Sequence, residues 1–397
     1  MSRLLSLIFL CQFANDTVAF GIVSGPQSVS QWLLSSGFER TETCLAAASK
    51  GFGATGSSKK KTKSKKGQRL ANALQDKGSA VPKKKNQPFV RSESDDLLSA
   101  LQAQSASTCI GRAVANSPMA GSADADPFWE LMPSLIASRF PKAQDKDLER
   151  IAGFVRHTLD NSLPLEDDFV QNPFRRPDEM HAYMPGLGPT QPFHDPSQLE
   201  LCRQLSDNYE IIKGEYDALI EDMKNGGKDR FQSVTSMNYE SGWKTLVLFY
   251  NGHRIKDFPY HLCPTTTRIL ESVPLAGRIA GFNRQQPKSG IPLHTDGNNM
   301  WLTCQMGIYV PDGEKAYIRV GPESRRWKNG ECLLYDTTYE HETFNEHPEQ
   351  ERVVLHVDFF NTLAMTPLEI EVMQYIYQLR EEFMKAEGVA KVGAQIL

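Results

Sequence analysis

The sequence predicts a mainly β fold with flanking helices, its strands closing into an antiparallel barrel or jelly roll. Three observations predict it. From Gly242 onward, short runs rich in β-branched and aromatic residues recur at 244–250, 278–283, 301–310, 316–320, 331–336 and 352–360. Short strands at such spacing build barrels and sandwiches. Between them stand turn sequences, Pro311-Asp312-Gly313 and Lys328-Asn329-Gly330; Asn-Gly supplies the positive φ angles of a tight hairpin. Ahead of Gly242 the apolar period is helical.

Taken in order, residues 1–19 read as a signal peptide. Arg3 precedes an apolar stretch from Leu4 to Phe13, and Thr17-Val18-Ala19 offers small residues before a cleavage point. Residues 20–125 read as a low-complexity, basic presequence or linker, low in hydrophobicity and without sustained period. The pair resembles the two-part plastid presequences of algae with secondary plastids, so entry into the secretory pathway or a plastid is expected. A cytoplasmic or nuclear alternative rests on the lysines of 59–66 and on Pro82-Lys83-Lys84-Lys85. Residues 126–240 form a helical lead-in, with helices expected at 128–140, 145–159 and 198–224, the last ending at Gly226-Gly227. The β core spans 241–365. A terminal helix over 366–388 is marked by Thr366 as cap, Pro367 at the first helical position and Glu369 completing a capping box. Leu368, Val372, Ile376, Leu379 and Phe383 give that helix one apolar stripe.

Charge is divided unevenly. The net charge of the 397 residues is −4, but between Lys50 and Arg91 thirteen Lys/Arg face one acid, Asp76. That local +12 leaves −16 on the remainder, the wrong sign for a nucleic-acid enzyme. No apolar run reaches the roughly 18 residues of a membrane-spanning helix. Seven cysteines (Cys11, Cys44, Cys109, Cys202, Cys263, Cys304, Cys332) include no CxxC pair, which argues against zinc ribbons and a disulfide framework and for buried thiols.

The chemistry-bearing segment is Pro292-Leu293-His294-Thr295-Asp296-Gly297. On an extended segment residues two apart share a side, so the His294 imidazole and the Asp296 carboxylate converge on one ion. A distant second His completes the 2-His-1-carboxylate face of a non-haem Fe(II) centre, leaving positions open for a bidentate 2-oxo acid and O2. A lone His-x-Asp is weak evidence, and His356-Val357-Asp358 is a rival. Order decides. After His294/Asp296 come His341 and then Arg352; nothing after His356 can serve as distal ligand. The candidate metal ligands are therefore His294, Asp296 and His341. Alternation along 352–360 puts Arg352, Val354, His356 and Asp358 on one face. An inward Arg352 fits the distal carboxylate of 2-oxoglutarate; the alternative is an ion pair with Asp358 or Asp336. His356 is a candidate neighbour of the pocket. His347 reads as a surface residue, and His157, His181, His194, His253 and His261 lack ligand spacing.

Beyond these residues, 183–358 resembles the aspartyl/asparaginyl β-hydroxylase family. The resemblance is carried by Tyr183-Met184-Pro185-Gly186-Leu187, by 292–297, by Trp327 with Gly330, by Tyr335-Asp336, by Tyr339-Glu340-His341-Glu342 and by 352–358. It implies a double-stranded β-helix core, Fe(II), 2-oxoglutarate as co-substrate and hydroxylation at a β-carbon. It also implies co-substrate contacts at Asn283, Thr303 and Gln305, where animal members carry Ser, Arg and His. Animal members have glycine where this chain has Asp296, as bacterial lipid A-modifying relatives do. The animal loop disulfide keeps only Cys263 here, and the helical-repeat platform has no counterpart. The expected activity is dioxygenase hydroxylation of an aspartyl/asparaginyl peptide, an amino acid or an acyl substrate. The alternatives are a cupin-like metal- or ligand-binding module without turnover and a structural barrel whose His-x-Asp pairs locally. Oligomeric state is not set by these features.

Overall fold

The computed structural model describes residues 103, 105–122, 125–188, 190–233, 242–313 and 315–386. The expected signal peptide and most of the basic stretch lie outside them. The described fold begins upstream of residue 126. Helix α1 (Cys109–Ala115) is capped by the Thr108 side chain and buries Cys109, Ile110 and Ala113. Seven residues are too few to show a helical period in sequence. Helices α2 (Pro127–Arg139) and α3 (Asp145–Leu159) follow near their expected limits. The single helix expected over 198–224 is two, α4 (Glu200–Asp207) and α5 (Tyr209–Lys224). At the break the Asn208 side chain donates to the Gln204 carbonyl at 2.8 Å. Asparagine competes with the helix for its own hydrogen bonds.

Short strands β1 (Phe193–His194) and β2 (Phe231–Gln232) precede β3 (Trp243–Tyr250), β4 (His253–Arg254) and helix α6 (Pro264–Glu271). Then come β5 (Leu275–Gln285), β6 (Ser289–His294), β7 (Trp301–Tyr309), β8 (Ala316–Val320), β9 (Glu323–Arg326), β10 (Cys332–Tyr335), β11 (His341–Asn345) and β12 (Arg352–Phe360). One sheet runs β1-β10-β7-β12-β5-β3-β2, with β4 beside β3; the other runs β6-β11-β8-β9. From β5 onward the chain passes back and forth between the two, pausing in the smaller sheet only for the β8–β9 hairpin. Ala316, Ile318 and Val320 of the smaller sheet pack with Tyr335 and Val354 of the larger, so the sheets face each other. This winding is a double-stranded β-helix, the jelly roll that the strand pattern predicts.

The larger sheet has two distinct faces. Val353, Leu355 and Val357 of β12 join the core under α4–α6, with Leu205, Ile212, Phe282 and Leu334. Val354, one residue out of phase, belongs to the inner cluster. Period-2 alternation therefore points Arg352, His356 and Asp358 into the barrel.

Helix α7 (Pro367–Ala386) follows β12, and Val372, Ile376, Leu379 and Phe383 of its expected stripe are buried. Its capping box forms: the Thr366 amide donates to Glu369 Oε2 at 2.8 Å, and the Glu369 amide to Thr366 Oγ1 at 3.3 Å. Glu369 also accepts from Arg150 Nε at 2.7 Å, tying α7 to α3. No helix among the described residues is long and apolar enough to cross a membrane. Glu369→Ala removes the cap and the inter-helix pair together. It is expected to lower stability by about 1–3 kcal/mol, measured by urea unfolding, with the β-sheet circular dichroism retained at zero denaturant.

Candidate metal and anion site

His294 ends β6 and His341 begins β11, and the two are Cα partners across the smaller sheet. A register shift just beyond, between His341 and Thr343, marks a bulge of the kind that re-aims side chains. The ring centroids are 4.2 Å apart. His294 Nδ1 lies 2.8 Å from the Pro292 carbonyl and His341 Nδ1 2.9 Å from the Tyr339 carbonyl. A carbonyl only accepts, so each Nδ1 carries the proton and each Nε2 keeps its lone pair for a metal. Ligand atoms of His294, Asp296 and His341 all lie within 4.8 Å of one another.

The loop after His294 is pinned. The Asp296 amide donates to the Thr337 carbonyl at 3.0 Å, and the Gly297 carbonyl accepts from the His181 and Ala182 amides. Gly297 has φ +62°, and a Cβ there would stand 2.5 Å from the Glu179 carbonyl oxygen. Only glycine turns the chain here without displacing Asp296.

Asp296 is paired with Arg278 of β5, a residue that sequence reasoning did not single out. Burial works to raise the Asp296 carboxyl, but Arg278 first, then His341 and His294, hold it well below the ordinary carboxylate range. The His341 imidazole is pushed down to about 4 by burial and by His294, against Asp296. At neutral pH the cluster thus presents an ionised carboxylate and a neutral His341, the forms that ligate a divalent cation.

Arg352 is fully buried, its guanidinium 4.6 Å from the Trp243 ring centroid and 4.1 Å from that of Trp327. Nε, Nη1 and Nη2 all lack a hydrogen-bond partner. Burial pushes this group down to about 9, so it remains cationic at neutral pH. The ion-pair alternative fails on geometry. Asp336 pairs with Arg175, while Asp358 takes Thr303, His356 and Arg278. On β5, beside Arg352, both amide atoms of Asn283 and Nε2 of Gln285 are also buried and unpartnered. A cation and two amides with no protein partner form a cradle for an anion.

Thr303 and Gln305 are placed differently from Asn283. Thr303 Oγ1 donates to Asp358 Oδ1 at 2.6 Å. Gln305 Oε1 accepts from Trp327 Nε1 at 3.0 Å, and its Nε2 donates to His356 Nδ1 at 2.9 Å. Both are committed within the protein. His356 Nε2 in turn reaches Asp358 Oδ2 at 3.0 Å, and Asp358 lies 3.5 Å from Arg278 Nε. A chain of contacts therefore runs from the tryptophan under Arg352 to the arginine that holds Asp296. The Tyr335 ring stands 6.2 Å, centroid to centroid, from that of His341 and packs with Trp327 and Val354 in the inner cluster, so both halves border the same interior. His347 orders a turn, accepting from the Glu349 and Gln350 amides, and stands outside the cluster. Arg278 had one signal in sequence, a charge between the apolar runs 275–277 and 279–282.

Arg352→Met tests the cradle. It replaces an unpaired buried cation by an apolar side chain of similar length. The ligand-free protein is expected to keep its fold and match or exceed wild-type thermal stability, while losing anion binding. Unfolding of the variant would instead make Arg352 a structural residue.

The family model described as Aspartyl/Asparaginyl beta-hydroxylase matches residues 206–362. The ornithine lipid ester-linked acyl 2-hydroxylase of Rhizobium tropici is 27% identical over 43% of this chain and 61% of its own length. Human aspartate beta-hydroxylase domain-containing protein 2 is 27% identical over 45% of this chain and 49% of its own. Human aspartyl/asparaginyl beta-hydroxylase is 24% identical over 45% of this chain and 23% of its own. The chain thus spans between about a quarter and three-fifths of these relatives' lengths. Among solved structures, a Pseudomonas putida prolyl-4-hydroxylase aligns over 40% of this chain and 97% of its own, with a TM-score of 0.26 and 11% identity. Over residues 206–362 the chain is thus similar to the aspartyl/asparaginyl β-hydroxylase family.

Proposed function

We infer that this domain is an Fe(II)- and 2-oxoglutarate-dependent hydroxylase. The observation that carries the reading is the buried, unpartnered Arg352 guanidinium in the same interior as a 2-His-1-carboxylate cluster. A metal cluster alone or an anion cradle alone serves many chemistries; a dicarboxylate that chelates a metal at one end requires both. When bound, Fe(II) with 2-oxoglutarate and O2 supplies the oxidising power for C–H hydroxylation, with succinate and CO2 as co-products.

The chain's own residues bind, orient and exclude water. His294 and His341 present Nε2, their rings fixed by backbone carbonyls. Asp296 supplies a negative charge, and Arg278 holds its free oxygen so that the carboxylate keeps one orientation. Arg352 takes the distal carboxylate, with Asn283 beside it; Trp243 and Trp327 keep water from the guanidinium and so strengthen the pair. Thr303 and Gln305 act as positioning residues through Asp358, His356 and Trp327.

For the substrate, one observation supports an acyl chain over an aspartyl or asparaginyl side chain: Asp296 departs from the glycine of the animal pattern. The name of the Rhizobium relative points the same way. The test is succinate release under a panel of acyl-amide lipids, Asp/Asn peptides and free amino acids, with mass detection of one added oxygen. Metal and 2-oxoglutarate binding without succinate release under any of them would favour the non-catalytic module.

Asp296→Gly recreates the animal pattern and isolates the carboxylate. Activity at saturating Fe(II) and 2-oxoglutarate is expected to fall by orders of magnitude, with the fold intact by circular dichroism. Wild-type turnover in that variant would reduce the centre to two histidines.

A further inference from the structure

On the opposite face of β7 from Thr303 and Gln305, three thiols meet. Cys202 comes from α4, Cys304 from β7 and Cys332 from β10, and all are free and buried. Their Sγ atoms lie within 4.8 Å of one another, with Cys202 and Cys304 3.6 Å apart. Pairing explains the meeting. Cys304 is the Cα partner of Leu334 and Cys332 that of Met306, so the two strand cysteines are diagonal neighbours on one face. Met306, fully buried, adds a thioether to that face.

We propose that Cys202, Cys304 and Cys332 form a three-sulfur site for a single Cu(I) ion. Soft sulfur donors select soft cations. Structural zinc takes four ligands, and no His, Asp or Glu joins this group among the described residues. Ser206 Oγ lies 3.8 Å from Cys332 Sγ, and the Cys202 carbonyl oxygen 3.6 Å from it. A monovalent d10 ion is satisfied by three sulfurs. Each thiol that becomes a ligand releases its proton to solvent, so Cu(I) binding strengthens as pH rises.

The experiment uses the full chain, reduced and anaerobic, titrated with Cu(I) against a chromogenic Cu(I) chelator. Near-ultraviolet thiolate-to-copper absorption and X-ray absorption at the copper edge are recorded alongside. The expected result is one tightly held Cu(I) per chain in a sulfur-only shell. Cys304→Ser and Cys332→Ser should each weaken it by at least an order of magnitude. His294→Ala with His341→Ala, and Cys109→Ser with Cys263→Ser, should leave it in place. Nitrogen in the shell, or loss of copper in the double-histidine variant with retention in Cys304→Ser, would place the ion at the histidines and overturn the proposal. So would a reduced wild-type protein that takes up no Cu(I), including one that forms a Cys202–Cys304 disulfide in air; the three would then be core thiols. Should the serine variants fail to fold, the wild-type X-ray absorption shell decides.

Discussion

The guanidinium of Arg352, buried between two indole rings with no hydrogen-bond partner, is the constraint around which the rest of the barrel is arranged. An unpaired charge withdrawn from water costs several kcal/mol even after relaxation. Two tryptophan faces return about 0.5–2 kcal/mol each, less than that cost. The tryptophan contacts therefore do not offset the burial of the cation, and a carboxylate partner does. Folding tolerates this burial because β12 is central: bonded on both sides by β5 and β7, it carries Val353, Leu355 and Val357 into the core under the helices. Apolar residues on one face of the strand fix the polar ones on the other.

From that point a line of side chains leads to the metal cluster. Trp327 bonds Gln305, Gln305 bonds His356, His356 meets Asp358, and Asp358 shares Arg278 with Asp296. Each member fixes the orientation of the next, so the ring under Arg352 and the carboxylate at the metal are set by one network. Strand β7 serves both faces of its sheet. Thr303 and Gln305 serve the network, while the intervening Cys304 faces the thiol cluster.

Much of this was legible in the sequence where chemistry depends on order along one strand. His294 and Asp296 two residues apart, a later His341, and the alternation from Arg352 to Asp358 needed only the period of an extended chain. The strand runs and turn motifs likewise pointed to the jelly roll. What stayed hidden depends on contacts between distant segments. Nothing local marks Arg278 as the partner of Asp296, which sits in the loop after β6, or Trp243 as a face of the Arg352 slot, which the β3–β5–β12 register sets. Asn283, Thr303 and Gln305 looked equivalent by resemblance, yet Asn283 alone keeps open polar atoms, since Asp358, Trp327 and His356 occupy the other two. The meeting of Cys202, Cys304 and Cys332 was invisible for the same reason: their spacing in sequence fits no metal motif, and only a helix laid across two strands brings them together. The break at Asn208 and the short α1 were missed because each is a local exception inside a weak period.

The central claim is that metal cluster and arginine slot are two ends of one ligand site. The direct measurement is calorimetric binding of 2-oxoglutarate with and without a redox-silent divalent metal such as Mn(II), under anaerobic conditions. A ligand spanning both ends must bind at least ten times more tightly when the metal is present, and His294→Ala with His341→Ala must erase that difference. Equal affinity with and without metal in the wild-type protein would show that Arg352 and the histidines belong to separate sites, and would contradict the account.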